Sequence, residues 1–385
     1  MRIAVFTDTF APQINGVART LGRLVDALRE RGGEATVITV QGMEYDAPER
    51  TLVRWPAIPF WAYPELRIAS PRVGEARRLL RQLKPDLVHA ATPFGVGLAA
   101  RAAARAEQIP LVSSFHTDFA AYLRYYRLQF LDAVAWPYLR WFHNGGRRTF
   151  VPTRRGAEQL RQHGFDGVRV WGRGVDRARF SPRFRSLALR RALGVRDHDA
   201  LFVYVGRLAP EKGIGTILEA ARSLQLGPGS SIRLAFVGDG PAEERYRASA
   251  PDGTIFAGRL LGAALSEFYA SADGFVFASS TDTFGNVLLE AMASGLPVIA
   301  PNDGPTLDVA HAGNALVVPA RDARAVAGAM QRIAGDPALR ARLRTRSLQS
   351  AAERDWGRIW DDLFSEYAQA AGGGVSAPQR EAAVG

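Results

Sequence analysis

The chain of 385 residues has no cysteine, which excludes a disulfide framework, a thiolate nucleophile and a Cys-based metal site. Long hydrophobic runs are also missing: no stretch of about 18 uninterrupted apolar residues occurs, which argues against a membrane-spanning helix. The opening Met1-Arg2-Ile3-Ala4-Val5-Phe6 runs straight into Thr7 and Asp8. Such a run is too short for a signal-peptide core and predicts a first strand, so a cytoplasmic location is expected. Lysine is scarce as well. Of 49 basic residues only Lys84 and Lys212 are lysine, a skew that reads as arginine bias along the whole chain.

What is present is ordinary for a folded protein, with 47% hydrophobic and 23% charged residues. The length exceeds what one core comfortably serves, so two domains are expected. The net charge of +11 is unevenly spread. Residues 1–175 carry 25 basic and 15 acidic side chains, a balance of +10, whereas residues 176–385 carry 24 and 23, a balance of +1. A lopsided positive field suggests an anionic partner such as a membrane surface, an acidic acceptor or nucleic acid.

Short β-branched runs alternate with longer helical patterns, the mark of βαβ units on a parallel sheet. The first series predicts strands at Ile3–Phe6, Ala35–Val40, Leu87–Ala90, Leu111–Ser114 and Thr149–Val151. After Trp171-Gly172-Arg173-Gly174 a second series begins. It predicts strands at Leu201–Val205, Leu234–Val237, Thr254–Ala257, Phe275–Phe277, Pro297–Ala300 and Ala315–Val318. Two doubly wound domains bind ligands outside the carboxyl ends of their strands, so the site is expected in the cleft between them. The expected division is 1–172, then 173–355, with an amphipathic helix at about 356–371 and a disordered tail at 372–385.

The first chemical motif is Val205-Gly206-Arg207-Leu208-Ala209-Pro210-Glu211-Lys212-Gly213, a strand end followed by a helix from Thr216. Arginine and lysine five residues apart beside helix-start N–H groups suit a diphosphate. A surface loop of solvated charges is the plainer alternative. The second motif runs Thr281-Asp282-Thr283-Phe284-Gly285-Asn286-Val287-Leu288-Leu289-Glu290. Its spacing points Asp282 and Glu290 toward one ligand rather than at each other, and carboxylates accept hydrogen bonds from sugar hydroxyls. The N–H groups of Phe284, Gly285 and Asn286 lie at a helix N-terminus, where anions bind. The bland alternative makes Asp282 an N-cap and Glu290 a solvated helix residue.

Together the two motifs resemble the retaining glycosyltransferases of family 4, whose GT-B fold is α/β with two Rossmann-like domains and an interdomain cleft. That family usually carries a glutamate, seven residues and another glutamate; here the pair is Asp282 and Glu290. Other segments agree in order: Asn15-Gly16-Val17, Ser114-Phe115-His116-Thr117-Asp118, Gly172-Arg173-Gly174-Val175-Asp176 with Phe180, and the helix around Trp356 and Trp360. The resemblance implies that Arg207 and Lys212 neutralise the departing diphosphate, while Glu290 holds the ribose. It implies that Asp282 and the backbone at Phe284, Gly285, Asn286 and Val287 grip the sugar. Gly16 would let the backbone approach, His116 would sit near the reacting carbon, and Gly258, Arg259 and Leu260 would border the base. Asp282 is one methylene shorter than the usual glutamate. No metal and no cofactor are implied, only a nucleotide-sugar co-substrate. The subgroup resembled contains GDP-mannose-dependent α-mannosyltransferases and sulfoquinovosyl-diacylglycerol synthases. The expected reaction is transfer of mannose from GDP-mannose to a lipid-linked or glycan acceptor, with a UDP-sugar donor as the alternative. A non-catalytic nucleotide-sugar-binding module is the alternative from another class.

Several features fall outside that scheme. Asp197-His198-Asp199 resembles a metal-binding carboxylate pair but precedes a strand, where a solvated turn is expected. His116-Thr117-Asp118 lacks a third convergent metal ligand. His89 and His143 are expected to be structural or surface residues. Gly238-Asp239-Gly240-Pro241 lacks the full dinucleotide fingerprint, and no phosphate loop of the Walker type occurs. No recognised nucleic-acid motif is present, so nucleic acid is not an expected partner. Residues 121–148 mix Tyr122, Leu123, Tyr125, Tyr126, Phe130, Trp136, Tyr138, Trp141 and Phe142 with Arg124, Arg127, Arg140, Arg147 and Arg148. That mixture suits headgroup-level contact, so peripheral association with anionic lipid on the inner face of the plasma membrane is expected. The alternative is a packed helix pair with its arginines in solvent.

Overall fold

The computed structural model describes residues 1–41 except Pro12 and Ile14, then 52–60, 63–118, 129–227 and 229–372. Chain order in the first unit is β1 (Arg2–Phe6), α1 (Gly16–Glu30), β2 (Glu34–Val40), β3 (Leu52–Trp55), β4 (Ala57–Phe60) and β5 (Tyr63–Ala69). It continues with α2 (Val73–Leu83), β6 (Leu87–Ala90), α3 (Gly95–Ala106), β7 (Leu111–Ser114), α4 (Asp132–His143), β8 (Arg148–Val151), α5 (Arg154–Gln162) and β9 (Val168–Val170). The second unit has α6 (Leu187–Ala192), β10 (Ala200–Val205), α7 (Ile214–Ser223), β11 (Ile232–Val237), α8 (Glu243–Ser249), β12 (Ile255–Phe256), α9 (Gly262–Ser271) and β13 (Gly274–Val276). Then follow α10 (Asn286–Ala293), β14 (Val298–Pro301), β15 (Ala315–Val318), α11 (Ala323–Gly335), α12 (Pro337–Ala352) and α13 (Trp356–Ala371).

The strands form two parallel sheets, ordered β3-β2-β1-β6-β7-β8-β9 and β12-β11-β10-β13-β14-β15. Both order reversals fall beside the first strand of their sheet, the switch points where such folds bind ligands. Central strands are buried on both faces, as a parallel sheet covered by helices requires. Alternation then divides each strand between two cores. Ile3 and Val5 pack with α1 and α13, while Ala4 and Phe6 pack with α2 and α3. In the second sheet Leu201, Val203 and Val205 face one core, and Phe202 and Tyr204 the other.

Each strand expected from the sequence is present, with ends shifted by a residue or two. The motif helix α7 opens at Ile214, two residues before Thr216, behind a 3₁₀ turn at Pro210–Lys212. The edge strands β3 and β9 and the antiparallel β4–β5 pair were not expected. They are short, or carry prolines (Pro59, Pro64), so no apolar alternation marks them.

The chain's last described helix returns to the first unit. α13 buries Trp360, Leu363, Tyr367 and Ala370, one stripe at helical spacing, against the core that holds Ile3, Val5 and Trp171. The Tyr367 hydroxyl reaches His89 Nδ1 at 2.7 Å, and His89 Nε2 meets Ser114 Oγ at 2.5 Å. Burial pushes His89 down to about 3, so it stays neutral. His143 is also buried and held near 3, bonded to Ser113 Oγ at 2.8 Å. Replacing Trp360 by Ala should cost about 3–5 kcal/mol. Differential scanning calorimetry should show a thermal midpoint lowered by roughly 6–12 °C or more; a shift within roughly 2 °C, below about 1 kcal/mol, would mean that α13 is not part of the core.

Candidate active site

Both chemical motifs fold at the carboxyl ends of the second sheet. β10 ends at Val205, and the chain turns at Gly206 into the 3₁₀ turn that carries Lys212. Gly213 closes this loop with φ 71°, and a Cβ there would lie 2.3 Å from the Ala278 carbonyl oxygen, so glycine is needed. Within the loop, Tyr204 donates its hydroxyl proton to the Arg207 carbonyl at 3.0 Å. Arg207 Nη2 donates to the buried carboxylate of Glu211 at 3.2 Å. Burial lowers the Arg207 pKa although Glu211 opposes the shift, and the group remains a cation.

The decisive contact links the two motifs. Lys212 Nζ donates to Asp282 Oδ1 at 2.7 Å. Burial raises the carboxyl's pKa, but the Lys212 charge and the hydrogen bonds from Lys212 and Ser279 together hold Asp282 below the usual aspartate range. Asp282 is therefore not the N-cap of α10. That position is Gly285, with φ 78° and no capping side chain, which leaves the first N–H groups of the helix to the cleft. Glu290, one turn into α10, is buried rather than solvated. Its Oε2 accepts from Tyr269 at 3.0 Å, and its Oε1 from Arg19 Nη1 at 3.3 Å. Burial and then Glu290 push the Tyr269 pKa well up, so the phenol remains a donor.

Three glycine turns lie side by side at neighbouring strand ends. Gly206 N–H donates to Val237 O at 3.0 Å, and Gly238 N–H donates to Gly258 O at 2.8 Å. Arg259 leaves this row to pair with Asp239 at 2.6 Å, and Leu260 packs on the core beneath. The structure thus groups Arg207, Lys212, Gly258, Arg259, Leu260, Asp282, Phe284, Gly285, Asn286, Val287 and Glu290 along one edge of the second sheet.

The first unit meets that edge through the loops after β1 and β7. A Cβ on Gly16 would come 3.4 Å from Asn286 Nδ2, so the first turn of α1 lies against the first turn of α10. Asn15 caps α1 by accepting from Ala18 N–H at 2.8 Å. Thr283 Oγ1 donates to the His116 carbonyl at 2.7 Å, next to Asp282 in sequence. A cavity opens here, lined by Arg19, Arg23, Asp176, Asn286, Glu290 and Trp356. Farther from these two motifs, Asp308 meets the start of α5 across the units, accepting from Arg154 and Arg155 N–H at 2.5 and 3.1 Å.

Three residues at this meeting were not singled out from the sequence. Arg19 faces Glu290 from one turn beyond Gly16. Arg173 is buried against His116. Asp8 is fully buried after β1, accepts from Thr92 Oγ1 at 2.6 Å, and is pushed up to about 6 by burial. The usable signal for each was an ionisable residue placed at the carboxyl end of a strand or one helical turn past a glycine.

The remaining motifs serve the scaffold. Asp199 is not solvated, contrary to expectation: it is buried and accepts from Arg196 N–H at 3.0 Å, which closes its own turn before β10. Asp118 takes Gln159 Nε2 at 3.1 Å while His116 turns to Arg173. Among the described residues no three His, Asp or Glu side chains group to hold a metal ion. The aromatic-basic segment divides. Tyr122, Leu123, Arg124, Tyr125, Tyr126 and Arg127 lie outside the described residues. Phe142 is core, and Trp136 stacks on His163 at 3.7 Å. Arg147 and Arg148 are not directed to a surface; they brace α13 through Ala370 O at 2.6 Å and Glu366 at 3.0 Å. Phe130, Val134 and Trp141 do face outward, at 70, 68 and 50% exposure.

Residues 14–179 match the family described as Glycosyltransferase Family 4, and residues 186–349 match Glycosyl transferases group 1. A GDP-mannose-dependent alpha-mannosyltransferase of Corynebacterium glutamicum is 32% identical over 374 residues, 96% of this chain and 89% of that enzyme. The chain belongs to glycosyltransferase family 4. The sulfoquinovosyl transferase SQD2 of Arabidopsis thaliana is also 32% identical, over 80% of this chain and 61% of that protein. In fold, this family 4 glycosyltransferase is similar to HepE of Anabaena, solved with UDP-glucose. The TM-score is 0.76 at 18% identity, covering 96% of this chain and 100% of that one. The architecture is GT-B and the activity is hexosyl transfer.

The Lys212–Asp282 pair sets a pH-dependent expectation. A folded-state pKa below the unfolded one means the pair stabilises above about pH 4 and is lost as pH falls through the depressed value. Lys212→Met leaves the buried carboxylate unpaired, so its destabilisation should be larger at pH 8 than at pH 4.5, measured by calorimetry. Equal losses at both pH values would show that the ion pair is energetically idle.

Proposed function

We propose that this glycosyltransferase transfers mannose from GDP-mannose to a lipid-linked or glycan acceptor, with retention of anomeric configuration and without a metal. The 173–355 unit takes the donor, and the 1–172 unit, with the helix at 356–371, takes the acceptor. The observation that carries the reading is the Lys212–Asp282 contact at 2.7 Å beside the uncapped start of α10. One ammonium proton engages Asp282, and two remain for phosphate oxygens. Arg207, anchored by Glu211, supplies a second cation on the same loop. Both stabilise charge that grows on the departing diphosphate, an electrostatic effect present mainly in the transition state.

The other roles follow from position. Glu290 accepts the ribose hydroxyls, and Asp282 with the N–H groups of Phe284, Gly285, Asn286 and Val287 holds the transferred sugar. Gly16 leaves room across from Asn286 for the phosphates or the sugar, and His116 meets the sugar near its reacting carbon. Gly258, Arg259 and Leu260 border the base. The bond from the anomeric carbon to phosphate breaks on the face where the acceptor oxygen attacks, and the acceptor's proton passes to the leaving phosphate oxygen. No carboxylate nucleophile is needed, unlike the two-carboxylate plan of hydrolases. The mannosyltransferase likeness favours GDP-mannose; a UDP-sugar donor is the second reading.

Thermal shift against GDP-mannose, UDP-glucose, UDP-galactose, UDP-N-acetylglucosamine and UDP-sulfoquinovose tests the donor. GDP-mannose at a hundred times its dissociation constant should stabilise the fold by about 2.7 kcal/mol. An unchanged midpoint with all five removes the donor assignment, and binding without hydrolysis of any of them points to a non-catalytic module.

The outward Phe130, Val134 and Trp141, in a half with a balance of +10, support peripheral contact with anionic lipid. Among the described residues no helix is long and apolar enough to cross a membrane. In flotation, the protein should rise with phosphatidylglycerol vesicles and lose that association in Phe130→Asp. Equal behaviour with neutral and anionic vesicles would contradict membrane contact.

A further inference from the structure

Arg173 stands out among the charges of the described residues. It stands in the segment between the two sheets, is 4% exposed, and has no carboxylate partner among the described residues. Its Nη1 donates to the carbonyls of Trp171 at 2.6 Å and Gly172 at 3.0 Å, and its carbon centre sits 4.3 Å from the Trp171 ring centroid. Its Nη2 lies 3.1 Å from His116 Nδ1. Burying a guanidinium without a counter-ion is costly, and packing alone gives no reason to keep it.

The chemistry of the contact fixes the histidine. A guanidinium has donors and no acceptor, so His116 Nδ1 must accept and the ring proton must sit on Nε2. That Nε2 is buried and has no hydrogen-bond partner among the described residues. The rest of the residue is held. Its ring edge meets Trp171, with centroids 5.6 Å apart, and its carbonyl accepts from Thr283 beside Asp282. An immobilised imidazole on the loop after β7 therefore keeps one N–H without a partner among the described residues. The ionisable groups facing it are Arg173, His89 and His143; burial and all three hold its pKa well down, so it is neutral.

We propose that Arg173 is a positioning residue that locks His116 as its Nε2–H tautomer, so that the imidazole offers the sugar of the donor a hydrogen-bond donor and never an acceptor. This rests on the reading that His116 meets the sugar. It adds why the segment between the sheets carries a buried arginine: the tautomer and the ring orientation are set from there, by a residue that does not touch substrate.

Nitrogen-15 NMR of the side chains tests the tautomer directly, since the chain has only six histidines to resolve. His116 should show a protonated Nε2 and an unprotonated Nδ1 that persist from about pH 6 to 8, around the ordinary histidine pKa. Arg173→Met should mix the tautomers and lower kcat for GDP-mannose hydrolysis by about ten- to hundredfold. GDP affinity should stay within roughly twofold, because GDP lacks the sugar that the imidazole meets. Arg173→Lys, which keeps a cation and a donor, should recover part of both signals. A proton on Nδ1 in the wild type overturns the proposal, whatever the variants do. So does an Arg173→Met protein whose His116 spectrum and kcat are unchanged, or one that loses GDP affinity in step with kcat. His116→Ala hydrolysing GDP-mannose at the wild-type rate, with the tautomer as stated, overturns instead the reading that His116 meets the sugar.

Discussion

The contact on which the site depends is the ion pair between Lys212 and Asp282, 2.7 Å long and partly buried. It ties the loop after β10 to the loop after β13, two segments 70 residues apart in sequence. Apart from the 3₁₀ turn at Pro210–Lys212, neither loop has regular structure to hold it. What fixes them is this pair, the close fit of Gly213 under Ala278, and the carboxylate of Glu211 beneath Arg207. The cations are thus oriented before any ligand arrives, which is the condition for electrostatic stabilisation to act without reorganisation.

The parallel sheets explain why such loops can face each other. Each strand leaves its carboxyl end toward the cleft, so the loops after β1 and β7 meet those after β10 and β13. Among the described residues, contacts there include Arg19 with Glu290, Thr283 with the His116 carbonyl, and Gly16 against Asn286. The half-exposed Arg19–Glu290 pair is worth little in stability. An interface of this kind can open and close, as a cleft that admits a nucleotide must. The apolar bracing lies elsewhere, where α13 packs its tryptophan stripe on the first sheet.

Much of this was legible in the residues. Continuous apolar runs such as Leu201–Val205 mark buried parallel strands, and glycine followed by Arg207 and Lys212 marks the turn from β10 into α7, because both patterns reflect local physics. The edge strands β3 and β9 and the β4–β5 pair were not legible, since edges need no apolar alternation. Spacing also left the partners of the charges open. That Asp282 pairs with Lys212 rather than capping α10, that Asp199 turns inward to Arg196, and that Arg173 reaches His116 are matters of tertiary direction, which a linear pattern does not encode.

The account stands or falls on where the sugar nucleotide binds. Hydrogen exchange measured by mass spectrometry with and without GDP-mannose tests that most directly. Protection should rise together in peptides spanning 206–213 and 282–290, with a smaller change around 15–20 as the first unit closes. Protection confined to the outward face of α4, or none in the two donor loops at saturating GDP-mannose, would contradict it.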